Sequence, residues 1–193
     1  MFSPFQWLQH RHAHVTAAAV NRRCLRFSPV LLFDALPALG SVLYVPMRSC
    51  SSNIGALPRG LLVEAASLAP LLVTRWLVAA SAITVDGPRE WIDCIEGEGR
   101  LGARFHLLPD TDYLAWDGLL ARGEWIDVPT PAPTPQTSRP LGAHVLRFHT
   151  RRLAGLQVLG THADAGQVSS LSRRLAERIA RAETLLLCPG PNH

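Results

Sequence analysis

The chain predicts an α+β fold, a mostly antiparallel sheet of hairpin strands packed with helices. Three observations carry this. Apolar and polar residues alternate with a period of two along the middle of the chain, between turns marked by glycine and proline. Segments of helical periodicity stand before and after those strands. The 193 residues are 48% hydrophobic and 18% charged, apolar enough for a core and too lightly charged for disorder. This length suits one domain, which can bury roughly 70% of its unfolded surface without a disulfide or metal staple.

Residues 1–24 read as a flexible lead-in, where His10, His12 and His14 alternate without strand patterning and suit a solvated tail better than a chelate. Ser28–Gly40 predicts a short helix: Pro29 takes an allowed first-turn position, Leu31, Leu32, Leu36 and Leu39 recur at helical spacing, and Gly40 stops it. Val42–Met47 follows as a strand. Pro70 forbids one uninterrupted helix in the apolar run after Gly60. Arg75–Val85 has strand composition and Asp86-Gly87-Pro88 marks a turn. Glu90–Ile95 alternates, with Trp91 and Asp93 on one face and Ile92 and Cys94 on the other. Glu96-Gly97-Glu98-Gly99 turns the chain into a further strand, Arg100–Leu108. Pro109-Asp110-Thr111-Asp112 then opens a helix running through Trp116, Leu119 and Leu120. Five prolines in residues 128–140 predict an extended linker or surface loop. In residues 141–193, strands His144–Thr150 and Leu153–Gly160 precede a helix from about Asp164 to Glu183, completing the same domain as residues 25–127. That helix is expected to bury Val168, Leu171, Leu175 and Ile179 and to expose Arg173, Arg174, Arg178 and Arg181.

Net charge is +4, and all nineteen basic residues are arginine. The absence of lysine excludes Schiff-base and lysine-nucleophile chemistry. Charge falls in blocks: seven arginines against two acids in residues 1–82, four against ten in 83–127, and eight against three in 128–193. No dense basic stripe with interleaved aromatics forms, which argues against a nucleic-acid partner. The apolar stretches are broken by Asp34, Pro37, Glu64, Pro70 and Arg75, which argues against a membrane span. Cys24, Cys50, Cys94 and Cys188 lie too far apart for a C-x-x-C motif, and reduced thiols in a cytoplasm are the plain expectation.

No phosphate-binding glycine loop, G-x-S-x-G elbow or H-E-x-x-H is present, so the sequence leans away from an enzyme. Asp110, Asp112 and Asp117 cluster where a helix start wants acids, and capping explains them without catalysis. Arg104 and His106 are more suggestive. Two positions apart on a strand, they share a face, and together they suit an anionic ligand with a metal centre. A solvated strand face is the plainer alternative.

Residues from about Leu25 to Arg122 resemble one repeat of the bacterial haem-utilisation family, the hemin-degrading factor (HemS-like) proteins. The resemblance lies in Leu36-Pro37-Ala38-Leu39-Gly40 leading to Val42 and Met47-Arg48, then Arg75-Trp76. It continues through Trp91–Glu96 with Gly99, Arg104 through Leu107, and Thr111-Asp112 with Ala115-Trp116. It implies a cytoplasmic haem-binding protein acting in haem delivery or breakdown, of which trafficking or delivery is the function expected here. Haem is then the cofactor, and a haem transporter or acceptor protein and a second copy of the chain are the implied partners.

Carried onto this sequence, Arg48, Trp76 and Arg104 match family positions, while His106 stands where the family commonly has tyrosine. Ser49-Cys50-Ser51 and Pro70 depart from the family pattern, no histidine matches the family's iron ligand, and residues 140–193 fit less well. Propionates want arginine, and iron wants an axial imidazole, thiolate or phenolate. His106 is therefore the leading metal ligand, with Arg104, Trp76 and Arg48 around the cofactor. His144 and His149 follow, and Cys50 and Cys94 are thiolate alternatives. The competing reading is a non-catalytic interaction protein on the same fold whose ligand site has decayed.

Overall fold

The computed structural model describes residues 20–48, 58–85, 87–97, 99–126, 139–163 and 168–188. Among these residues nine strands form one sheet in the order β3-β9-β8-β2-β6-β5-β4-β1-β7. They are β1 (Asn21–Arg26), β2 (Gly40–Pro46), β3 (Leu61–Val63), β4 (Thr74–Thr84), β5 (Gly87–Glu96), β6 (Leu101–Thr111), β7 (Glu124–Ile126), β8 (His144–Leu153) and β9 (Leu156–Ala163). Every pairing is antiparallel except β3 with β9 at one edge. The helices are α1 (Pro29–Ala35), α2 (Ala69–Leu72), α3 (Tyr113–Ala121) and α4 (Ser170–Ala182), with 3-10 turns at Leu36–Leu39 and Ala66–Leu68. The predicted α+β class and antiparallel sheet are what the structure has.

Strand alternation sorts the sheet into two faces, each with its own core. One is covered by α1, α2 and α3. There Leu25, Tyr44, Leu77, Ile92, Cys94, Phe105 and Phe148 meet Leu32, Phe33, Leu71, Trp116 and Leu119. Phe148 meets both Tyr44 and Phe105 edge-on, with ring centroids 5.9 and 5.6 Å away. Each such buried ring contributes about 1.5–3 kcal/mol. The Tyr44 hydroxyl, buried with them, donates to the Ser67 carbonyl at 2.7 Å. On the second face Leu43, Val45, Leu108 and Ala143 pack against Ala176, Ile179 and Ala180 of α4.

Local chemistry places the elements. Ser28 caps α1 by accepting from the Leu31 N–H, and the chain leaves the following 3-10 turn through Gly40 at φ 68°. A Cβ there would press on the Asp110 carbonyl at 3.0 Å, so glycine suits both the dihedral and the close approach. Proline at the first turn of α2 is how the chain accommodates Pro70.

Four expectations are corrected. The chain enters the sheet at Asn21, inside the stretch expected as lead-in, because β1 finds partners on both sides in β4 and β7. Strand β6 continues through Pro109, Asp110 and Thr111, where a helix start was expected. Thr111 Oγ1 donates to the Ser41 carbonyl at 2.6 Å and accepts from the Leu108 N–H at 2.9 Å, fixing that extension. Leu153 ends β8 rather than opening β9, because Ala154 and Gly155, both at positive φ, make a two-residue turn between them. Helix α4 starts at Ser170, not near Asp164, and buries Ser172, Ala176, Ile179 and Ala180, with Leu171 59% exposed. Of the linker expected at 128–140, residues 128–138 lie outside the described residues, as do His10, His12, His14 and Cys50.

Candidate functional site

The hairpin β5–β6 sets Asp93 opposite Arg104 and Trp91 opposite His106. All four side chains are buried on the face that α4 half covers. Arg104 Nε donates to Asp93 Oδ1 at 2.5 Å and Nη2 to Oδ2 at 3.3 Å, a two-pronged pairing. From the far end of the chain Glu183, the C-cap of α4, brings Oε1 to 3.1 Å from Arg104 Nη1 and 3.2 Å from His106 Nε2. Burial alone would push the Arg104 guanidinium down. Asp93 and Glu183 more than offset this, and its pKa stands above the ordinary arginine value. Both ring nitrogens of His106 are buried and neither makes a hydrogen bond, Nε2 meeting Glu183 at ion-pair distance only.

Arg104 and His106 therefore share a face, as their spacing predicts, but neither faces water. Their aromatic neighbour is Trp91, with its ring centroid 6.3 Å from the His106 ring and 5.9 Å from Arg104 Cζ. Trp76 is half-buried on β4, between Arg26 of β1 and Ile95 of β5. Arg48 lies exposed just past β2, its backbone N–H donating to the Arg139 carbonyl. The structure thus joins two of the four predicted residues directly and adds three the sequence reading left out, Trp91, Asp93 and Glu183. Counting back from the turn at Glu96–Gly99 would set Asp93 across from Ala103, and a register shift between Cys94 and Ile95 moves it opposite Arg104. Nothing in the pattern brings in Glu183, 79 residues further along.

A cavity of about 400 Å³ lies between α3 and the β1–β4 end of the sheet. Arg23, Ser81, Glu90, Trp91, Trp116 and Trp125 help to line it, and none of the four predicted residues does. Arg23 Cζ sits 5.7 Å from the centre of the Trp125 ring.

The other candidate ligands are dispersed. His149 stacks on His162 with centroids 4.1 Å apart, and its Nε2 lies 3.4 Å from Glu64 Oε2. Burial pushes the pKa of His144 down. Burial, the largest cause, and nearby Asp93 push the Cys94 thiol well up, which leaves it inert as a thiolate. Among the described residues, no group of three or more His, Cys, Asp or Glu side chains is arranged to hold a metal ion. Among them, too, no helix is long and apolar enough to cross a membrane.

The acidic cluster has structural work. Asp112 caps α3 by accepting from the Ala115 N–H at 2.9 Å. Asp110 instead reaches α4: its Oδ2 accepts from the Ser169 N–H at 2.6 Å, and its own N–H donates to Ser172 Oγ at 3.0 Å. Desolvation pushes the Asp110 carboxyl up, but hydrogen bonds from Ser169 and Ser172 and the charge of Arg147 outweigh it and hold the pKa low.

No family model matches the chain, and no curated protein matches it. Two solved structures are similar in fold at low identity. The heme degrading enzyme ChuS of Escherichia coli O157:H7 is 20% identical, with a TM-score of 0.42, over 67% of this chain and 41% of its own. A second structure, described as ChuS, an E. coli heme oxygenase, is 18% identical, with a TM-score of 0.42, over 69% of this chain and 42% of its own. The matched region spans about two fifths of ChuS.

Proposed function

We propose that the protein binds haem and acts in haem trafficking or delivery within the cytoplasm, passing its ligand between a haem transporter and an acceptor protein. The observation that carries this reading is the buried imidazole of His106, neither ring nitrogen of which makes a hydrogen bond, beside the Arg104 guanidinium and the Trp91 ring. That donor set suits haem: an imidazole for iron, the Nη1 of Arg104 for a propionate and an aromatic wall for the macrocycle. The sequence resemblance over Leu25 to Arg122, which includes Trp91 and Arg104, supports it. Arg48 and Trp76 extend the proposed cofactor surface. The reading assigns no catalytic residue. Titrating hemin into the purified protein tests it: a saturable Soret band at one equivalent is expected, and diffuse, unsaturable broadening overturns it.

One observation favours a second reading, an interaction protein without a ligand. Glu183 already supplies Arg104 and His106 with a carboxylate from within the chain. Unsaturable hemin broadening would select this reading.

A further inference from the structure

Glu183 ends α4 and sets one carboxylate oxygen against both Arg104 and His106. The turn that aims it is completed by the Leu185 N–H donating to the Ala180 carbonyl at 2.8 Å and the Thr184 N–H to the Arg181 carbonyl at 3.1 Å. This closing pattern normally places glycine in the left-handed position. Here Thr184 stands there at φ 58°, a strained conformation for a β-branched residue. The turn is also shallow: the Glu183 side chain is 23% exposed and Leu186 is 82% exposed. One short turn therefore carries both the carboxylate and stored strain.

We propose that this turn is a latch, in which Glu183 stands in for a ligand carboxylate until a haem propionate displaces it from Arg104 and His106. The inference rests on the haem reading and names the group that the site recognises. Asp93 holds Arg104 through Nε and Nη2 and leaves Nη1 to a second carboxylate, the place Glu183 takes. Opening relaxes Thr184 and uncovers the guanidinium and imidazole together. Because apparent affinity scales with the fraction of molecules open, the latch sets how tightly the ligand is held.

The test is hemin titration of the full chain in three forms, native, Glu183→Gln and Thr184→Gly, with amide hydrogen exchange followed over residues 183–188. Thr184→Gly relieves strain in the closed turn without changing charge, and about fivefold weaker hemin binding is expected. Glu183→Gln loosens the latch, and about tenfold tighter binding is expected. Hemin should speed exchange over 183–188 in the native chain. Glu183→Gln alone would also favour any anion by removing a charge, so Thr184→Gly is the deciding variant. A saturable Soret band of equal affinity in all three proteins, with exchange unaltered, overturns the latch and leaves the haem reading standing. No saturable band in any of them overturns both.

Discussion

Arg104 and Asp93 face each other across β5 and β6 and form a buried two-pronged ion pair, with side chains 8% exposed on each partner. Their mutual attraction offsets the cost of taking both from water, with Glu183 adding to the hold on Arg104 and Arg22 acting on Asp93. Replacing Arg104 with methionine leaves Asp93 buried without its two-pronged partner. The expected loss is about 3–5 kcal/mol of unfolding free energy, read from urea denaturation. Pairing Arg104→Met with Asp93→Leu should recover most of it. A double variant as unstable as the single one would contradict the pairing account.

Asp110 ties the end of β6 to the start of α4, and its carboxyl is held below its ordinary range. A depressed acid stabilises the fold fully above its unfolded pKa of about 3.9, and that contribution is lost as pH falls through the lower folded value. Asp110→Ala should cost about 1 kcal/mol at neutral pH by removing the acceptor for the Ser169 N–H. The deficit relative to the native chain should shrink as acid is added. Thermal melts of both proteins between neutral pH and about pH 2 would show the two curves converging. Parallel curves would refute the linkage.

Gly123 follows α3 where the chain passes over β1. A Cβ at this position would lie 2.8 Å from Leu25 Cδ2 and 2.9 Å from Phe27 Cδ2. Both neighbours are buried in the larger core, so they have little room to yield. Gly123→Ala should destabilise by about 1–3 kcal/mol through overpacking, measured by chemical denaturation. An unchanged midpoint would mean that the seam between α3 and β1 is looser than the packing indicates.

The β4–β5–β6 meander was legible because hairpin strands announce themselves locally. Trp91 and Asp93 do lie on the face opposite Ile92 and Cys94, as their alternation requires. The helix start at Asp112 was legible from its capping chemistry, though Pro109 through Thr111 remain strand because Ser41 in a distant strand holds Thr111. Helix α4 presented more apolar positions than its face can bury. Which of them turns inward depends on the angle at which it meets β2 and β6, a tertiary matter that left Leu171 outside. The candidate site divides the same way. Arg104 and His106 share a face by local periodicity, whereas Glu183 arrives by long-range packing that no short-range signal encodes.

The most direct measurement is the absorption spectrum of the ferric haem complex in the native chain and in His106→Gln. Direct ligation by the His106 imidazole predicts that the variant shifts the Soret and visible bands and weakens binding by about tenfold or more. Identical spectra and affinity in the two proteins would contradict it and remove His106 from the site.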